Sequence, residues 1–412
     1  MDKTENEKFI LREEFIEQAT KLARGAEVLP GGINELAEKL QRAHDENRPL
    51  RVKLGMDPTR PDLHLGHTVV MRKIKQFQEM GHQIVLIVGA ATAMIGDPSG
   101  KSDTRPSLSK EEVDANAQTY FEQMSKVVDI NKAEVVNNAD WLHPLKLLDI
   151  IKLASNVTVA QMMARDDFAK RYAESKPISI HEYFYPLMQA YDSVAIDSDI
   201  ELGGTDQRFN VLLGREIQAA YGKPNPQMVI LLPLLEGTDG VIKMSKSYPE
   251  HCVSLTDSAK DMYGKIMSIP DELISKYYAL LTDIGNRELE ELELQLKTVN
   301  PRDIKMSLAY TIVKMYHSKE LANDAQNEFV NVVQNKGIPE DIPETNIDND
   351  ISIIDFIVLN ELAPSKGETK RLMAAGAVKV NTEKCTDLTY TLKKSEAPFI
   401  IQVGKRKFMK AV

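Results

Sequence analysis

Two short segments carry residues of the type and spacing that phosphate chemistry requires. His64-Leu65-Gly66-His67 closely follows Asp57-Pro58-Thr59 and reads as the first turn of a helix. A helix N-terminus offers unpaired N–H groups and a partial positive charge, and a glycine there lets a nucleotide approach the backbone. The spacing of His64 and His67 is compatible with a metal pair, but no third ligand is evident and no protein metal site is expected. Lys243-Met244-Ser245-Lys246-Ser247 follows the turn Gly237-Thr238-Asp239-Gly240. Two lysines three apart on a loop can close over a triphosphate and neutralise charge as pyrophosphate leaves, although alone the string could be a surface loop. A third segment, Gly96-Asp97-Pro98-Ser99-Gly100-Lys101-Ser102, resembles a phosphate loop but is one residue short, because Ile95 stands where the first glycine belongs. Lys101 and Arg105 could still serve there as phosphate cations; an ordinary solvated turn competes with that reading.

Tyr185, Gln189 and Asp192 recur at i, i+4 and i+7, so one helical face would present a hydroxyl, an amide and a carboxylate. That face is either the lining of a polar pocket or a solvated surface.

These residues need a scaffold, and the hydrophobic pattern supplies one. Arg51–Met56 reads as a strand, the HLGH helix carries Val70, Ile74 and Phe77 at helical spacing until Gly81, and Gln83–Val88 is a β-branched run typical of a buried parallel strand. Residues 134–136 and 228–235 read as further strands, Ser109 and Glu112 as a capping box, and 144–175 and 180–194 as helices. Strands alternating with helices imply an α/β fold with a Rossmann-like parallel sheet, whose ligands sit beyond the carboxyl ends of the strands. The expected domains are an N-terminal helical segment (1–48), the Rossmann-like catalytic domain (49–256), an all-α domain (257–335), a linker (336–350) and a small basic α+β module (351–412).

Composition is that of a globular enzyme. No apolar run approaches the ~20 residues of a membrane helix, and the charged N-terminus lacks a secretory core, so a cytoplasmic protein without membrane contact is expected. Cys252 and Cys385, the only cysteines, suit neither a disulfide framework nor a zinc site. The net charge of −10 hides an asymmetry: residues 364–412 hold eleven Lys/Arg against four Asp/Glu, a net of +7. A basic module on an acidic body is compatible with a nucleic-acid partner.

HLGH at a helix start after a first strand, with KMSKS about 180 residues later after the last, resembles the HIGH and KMSKS signatures of the class I aminoacyl-tRNA synthetases. The resemblance covers the whole chain. Asp57-Pro58-Thr59, Gly96-Asp97-Pro98-Ser99-Gly100, the Tyr185/Gln189/Asp192 set and Gly203-Gly204-Thr205-Asp206-Gln207 look like the tyrosyl branch of that family. It implies a ligase that joins L-tyrosine to ATP as tyrosyl-adenylate, releases pyrophosphate, and passes the amino acid to the 3′ end of tRNA(Tyr). Asp192 would accept from the substrate hydroxyl, Tyr185, Gln189 and Asp97 would hold the amino group, and Gln207 would lie near the carboxyl. Gly55, Asp57, Thr59, His64, Gly66, His67 and Asp206 would bind ATP, with Asp206 on the ribose and Lys101, Arg105, Lys243 and Lys246 around the triphosphate. Mg2+ would accompany the nucleotide, and a homodimer is implied. Residues 351–392, with Pro364-Ser365-Lys366-Gly367-Glu368-Thr369-Lys370-Arg371 and Ala375-Gly376-Ala377-Val378-Lys379-Val380-Asn381, resemble an S4 RNA-binding domain. Two positions depart from the family pattern. Leu65 replaces the isoleucine of HIGH, and Lys53 stands in the tyrosine pocket where many members carry a tyrosine that helps bind the phenol. Three rivals share part of this pattern: a tryptophanyl enzyme, expected to lack the S4 module and the polar pocket; a shorter nucleotidyltransferase; and a non-catalytic RNA-binding protein on a synthetase scaffold, which intact His64, Lys243 and Lys246 argue against.

Overall fold

The structure, a computed structural model, describes residues 9–57, 62–97, 110–331, 342–404 and 407–412. Thr59, Lys101, Arg105 and the proposed Ser109 cap lie outside the described residues. The chain forms two compact units, one of Met1–Ser258 with Lys265–Leu308 and one of Ala259–Gly264 with Ala309–Val412. Among the described residues no helix is long and apolar enough to cross a membrane.

The first unit is built on a six-stranded sheet: β1 (Glu27–Leu29), β2 (Arg51–Met56), β3 (Gln83–Val88), β4 (Glu134–Asn137), β5 (Ile200–Gly204) and β6 (Met228–Leu232), ordered β1-β6-β5-β2-β3-β4. β2 to β6 run parallel, and β1 joins the edge antiparallel to β6. The parallel strands spread outward from β2 in both directions, so the order reverses between β2 and β5, where such a sheet opens a crevice at its carboxyl ends. Strand runs such as Gln83–Val88 are apolar because helices cover both faces; Ile84 to Ile87 are fully buried.

Several elements differ from the sequence reading. The lead-in expected to be helical contains β1, set between helices Glu13–Ala23 and Gly32–Asp45. The span 144–175 is broken into Leu147–Ala154, Val159–Met163 and Asp166–Ala173, because Thr158 and Gln161 cap each other and start a new helix. β6 ends at Leu232, short of 235. Most consequentially, β5 escaped the pattern: Ile-Glu-Leu-Gly-Gly mixes a carboxylate with glycines and lacks the signature of a buried strand.

The second unit contains a five-stranded sheet ordered Glu383–Lys384, Val378–Val380, Phe399–Val403, Lys407–Ala411, Glu344–Thr345. Helices Ile353–Leu359 and Lys366–Ala374 pack with it around Phe356, Ile357, Met373, Val378 and Ile401. Ser365 caps the second helix by accepting from the Glu368 N–H at 3.2 Å, leaving Lys366, Lys370 and Arg371 on the exposed side.

Candidate active site at the carboxyl ends of β2 and β5

The helix Leu65–Glu79 starts where the chain leaves β2, and His64 is its N-cap. His64 Nδ1 accepts from the Gly66 N–H at 3.1 Å, and His67 Nδ1 accepts from the His64 N–H at 3.2 Å. Each ring uses Nδ1 as acceptor, which places the proton of the neutral imidazole on Nε2. Burial, and then the neighbouring Lys246 and Lys243, lowers His67 to about 4, and burial with the adjacent His67 lowers His64 further. Both rings are therefore neutral donors near neutral pH, beside the positive end of the helix. Among the described residues no group of three His, Cys, Asp or Glu could hold a metal.

The lysine loop meets this helix. Gly237 N–H donates to Ile242 O and Met244 N–H to Leu235 O, both at 2.7 Å, which folds 235–244 back on itself. The base is fastened by Lys276 Nζ on Glu236 Oε1 and Tyr277 Oη on Glu236 O, each at 2.7 Å. Met244 is buried, and a Cβ added at Gly66 would lie 3.7 Å from Met244 Cβ and 3.0 Å from the His64 ring. A side chain there would be tight only against the imidazole and in ordinary contact with the methionine. Lys246 lies over the Tyr120 ring, 5.3 Å from its centroid, and Lys243 Nζ pairs with Asp206 Oδ2 at 3.0 Å. Asp206 stands on the turn that follows β5. The backbone of Gly55, at the end of β2, is open: a Cβ there would meet nothing.

Beside this cluster a connected polar network lines the crevice. Tyr185, Gln189 and Asp192 all lie on the helix Phe184–Ala195, as their spacing required. Tyr185 Oη donates to Asp57 Oδ2 and Thr92 Oγ1 to Asp57 Oδ1, both at 2.8 Å. Asn138 Nδ2 donates to Thr92 Oγ1 at 3.1 Å and to Asp192 Oδ2 at 3.4 Å, and Trp141 Nε1 donates to Asp192 Oδ1 at 2.8 Å. Asn138 is itself oriented, since its Oδ1 accepts from the Ala91 N–H at 2.9 Å. On the other side Gln207 Nε2 donates to Asp97 Oδ2 at 2.9 Å, while Gln207 Oε1 accepts from Asn210, which Arg165 holds in turn.

Burial raises Asp192 to about 7, against the lowering effect of Lys53 and the Trp141 and Asn138 donors. Burial and the nearby Asp57 and Asp97 carboxylates raise the Tyr185 hydroxyl well above its ordinary value, so it stays protonated and can donate to one partner while accepting from another. Lys53 is wholly buried beneath the pocket helix, and its three N–H groups go to Glu201 Oε1 at 2.9 Å, Ser193 Oγ at 2.8 Å and Gln189 O at 3.0 Å. With all three donors spent on protein, Lys53 has none for a ligand.

Asn138, Trp141, Thr92, Glu201, Asn210 and Arg165 were not picked out from the sequence. Two signals existed. Asn138 immediately follows β4, at the strand end where ligands bind, and Lys53 is a charge within the strand read at 51–56, which calls for a buried partner such as Glu201.

Comparison with known proteins gives the family. Residues 45–334 match the family model for class I tRNA synthetases (W and Y), and residues 334–411 that for the SYY-like C-terminal domain of tyrosine–tRNA ligase. The tyrosine–tRNA ligase of Carboxydothermus hydrogenoformans is 49% identical over 97% of this chain and 98% of its own. That of Thermotoga maritima is 52% identical over 91% of this chain and 92% of its own. Among solved structures, the tyrosyl-tRNA synthetase of Archaeoglobus fulgidus, determined with L-tyrosine, superposes with a TM-score of 0.60 at 24% identity over 76% of this chain and 99% of that one. The Aeropyrum pernix enzyme gives 0.59 at 23% over 78% and 99%. These two show a shared fold. The sequence relatives decide between the tyrosyl and tryptophanyl branches: the chain belongs to the tyrosine–tRNA ligases of the class I aminoacyl-tRNA synthetases.

Proposed function

We propose that the protein activates L-tyrosine with ATP and transfers it to tRNA(Tyr), using the crevice between β2 and β5. The observation that carries the reading is that the HLGH helix and the KMSKS loop lie together, with Lys246 and Lys243 both acting on His64 and His67, near the buried Asp192 carboxylate. Asp192, steadied by Trp141 and Asn138, accepts from the phenol hydroxyl. Tyr185, Gln189 and Asp97 receive the ammonium, and Gln207 lies near the carboxyl.

The chemistry needs no protein nucleophile. A substrate carboxylate oxygen bonds to the α-phosphorus of ATP as the bond to the pyrophosphate oxygen breaks, and the ribose hydroxyl at the tRNA 3′ end then displaces AMP from the adenylate. The protein contributes position and charge. The Nε2–H groups of His64 and His67 and the N-terminus of their helix meet phosphate oxygens, while Lys243 and Lys246, with Lys101 and Arg105, neutralise departing pyrophosphate. Gly55, Asp57, Thr59 and Gly66 complete the nucleotide site. Lys243 leaves Asp206 as the ribose takes its place on that carboxylate. Mg2+ enters with ATP as part of the substrate.

The basic helix Lys366–Ala374 binds tRNA phosphate, and the enzyme works in the cytoplasm as a homodimer. Support for association comes from Leu147, Leu148, Ile151, Val159 and Ile180, apolar side chains each more than half exposed. Exchange of labelled pyrophosphate into ATP tests the central reading. Exchange is expected with tyrosine and not with tryptophan; none with tyrosine would refute it.

A further inference from the structure

Lys53 and Glu201 face each other in the parallel ladder of β2 and β5, and both are buried, 0% and 1% exposed. A buried ion pair is weak support for a fold, since its desolvation is offset only when hydrogen bonds are complete, and well-packed apolar residues often do as well. Here completion is elaborate. Besides Lys53, Glu201 accepts at Oε2 from Ser193 Oγ at 3.1 Å and Gln227 Nε2 at 2.5 Å. Gly214 makes the room: a Cβ there would fall 2.6 Å from Gln227 Nε2 and 3.0 Å from Glu201 Oε2.

The arrangement reaches the substrate pocket through Gln189. Its Nε2 donates to Glu201 Oε1 at 3.4 Å, and its Oε1 is buried without a partner. The two ends of a carboxamide have nearly the same shape and opposite hydrogen-bonding character, so whatever holds one end decides what the other offers. A carboxylate at 201 accepts only, and therefore takes the donor end. The buried acceptor left over is complementary to an ammonium, the donor of the substrate that Asp192 does not take.

We propose that Glu201, held in place by Lys53, is a positioning residue that turns the Gln189 amide so that its carbonyl receives the ammonium of tyrosine. This rests on the pocket reading above. It also gives Lys53 a task at one remove from the substrate, behind the amino group, beside its lowering effect on Asp192.

The test uses the full-length protein, with tyrosine KM measured by pyrophosphate exchange and 3-(4-hydroxyphenyl)propanoate, which lacks the ammonium, as a competitive inhibitor. Glu201→Asp keeps the charge opposite Lys53 and withdraws the acceptor from Gln189. Loss of one oriented bond to a charged group predicts a tyrosine KM raised about ten- to hundred-fold, with the ATP KM and the inhibitor constant within about twofold of the parent. An unchanged tyrosine KM, or an equal weakening of tyrosine and inhibitor, overturns the proposal. Should circular dichroism show Glu201→Asp unfolded, K53M/E201Q, which keeps an acceptor, is compared with K53M/E201L, which has none. Both lose the lowering effect of Lys53 on Asp192, so the comparison is between the two: the first is expected to have a tyrosine KM at least about tenfold below the second, and equal tyrosine KM values overturn the proposal. A parent protein without tyrosine-dependent exchange would overturn the functional reading and this inference together, whereas normal parental exchange with an insensitive variant overturns this inference alone.

Discussion

Asp192→Asn isolates the group on which recognition of the phenol rests. The substitution preserves shape but puts an amide between two donors, Trp141 Nε1 at 2.8 Å and Asn138 Nδ2 at 3.4 Å. The carbonyl end of the new side chain goes to the closer indole, so the NH2 faces the pocket region and the phenol hydroxyl loses its acceptor. A hydrogen bond to a charged group contributes about 1.5 to 3 kcal/mol and a buried unpaired hydroxyl costs about 1 to 3 kcal/mol more. Their sum, taken near 3 to 4 kcal/mol, corresponds to a fall of about 10²- to 10³-fold in kcat/KM for tyrosine. Phenylalanine, which gives the buried carboxylate no hydroxyl donor in the parent, should lose nothing and gain up to about tenfold, so discrimination collapses from both sides. Tyrosyl enzymes are themselves the reference case for rejecting a substrate that lacks the hydroxyl. Pyrophosphate exchange with each amino acid reads the ratio; a tyrosine-to-phenylalanine preference equal to the parent's would refute the reasoning. The pH dependence is a second check. With Asp192 raised to about 7, the acceptor is lost by protonation below that pH, so parental kcat/KM for tyrosine should fall about tenfold per unit there. The variant should lack that limb. Stability runs oppositely: the folded state holds this proton more tightly than an unfolded carboxyl near 3.8, so ionising Asp192 weakens the fold as pH rises from 3.8 to about 7. The melting temperature of the variant should therefore gain on the parent's across that window.

Lys243→Ala and Lys246→Ala should each lower exchange turnover by at least about tenfold with tyrosine KM nearly unchanged, because neither touches the pocket; normal turnover would remove the loop from catalysis. Replacing Lys366, Lys370 and Arg371 together by alanine should weaken tRNA charging and flatten its salt dependence while exchange stays at the parental rate, which aminoacylation at several salt concentrations would show. Gly214→Ala should cost about 1 to 3 kcal/mol in urea unfolding, since its Cβ would fall 2.9 Å from Ser193 Oγ within the buried cluster; an unchanged midpoint would mean that the cluster yields freely.

HLGH, KMSKS and the Tyr185/Gln189/Asp192 repeat were legible because each is local: cap chemistry, loop composition and helical spacing act within a few residues. The strands β2 and β3 were legible for the same reason, β3 as an apolar run and β2 as a short stretch broken by Asp57-Pro58. What the pattern missed was non-local. β5 carries Glu201, which stands in a buried strand only because Lys53, 148 positions earlier, lies across from it in the sheet. β1 is three residues long and is a strand only through its pairing with β6. Asn138 had only its place after β4 to mark it, and it and Trp141 acquire meaning when the end of β4 brings them against Asp192. Residue types and local spacing thus pointed to the class of chemistry, and the resemblance they carry to the tyrosyl branch named the amino acid it serves. Tertiary structure alone decided which polar atoms are already spent and which remain for a substrate, because that depends on partners brought together only when the sheet closes.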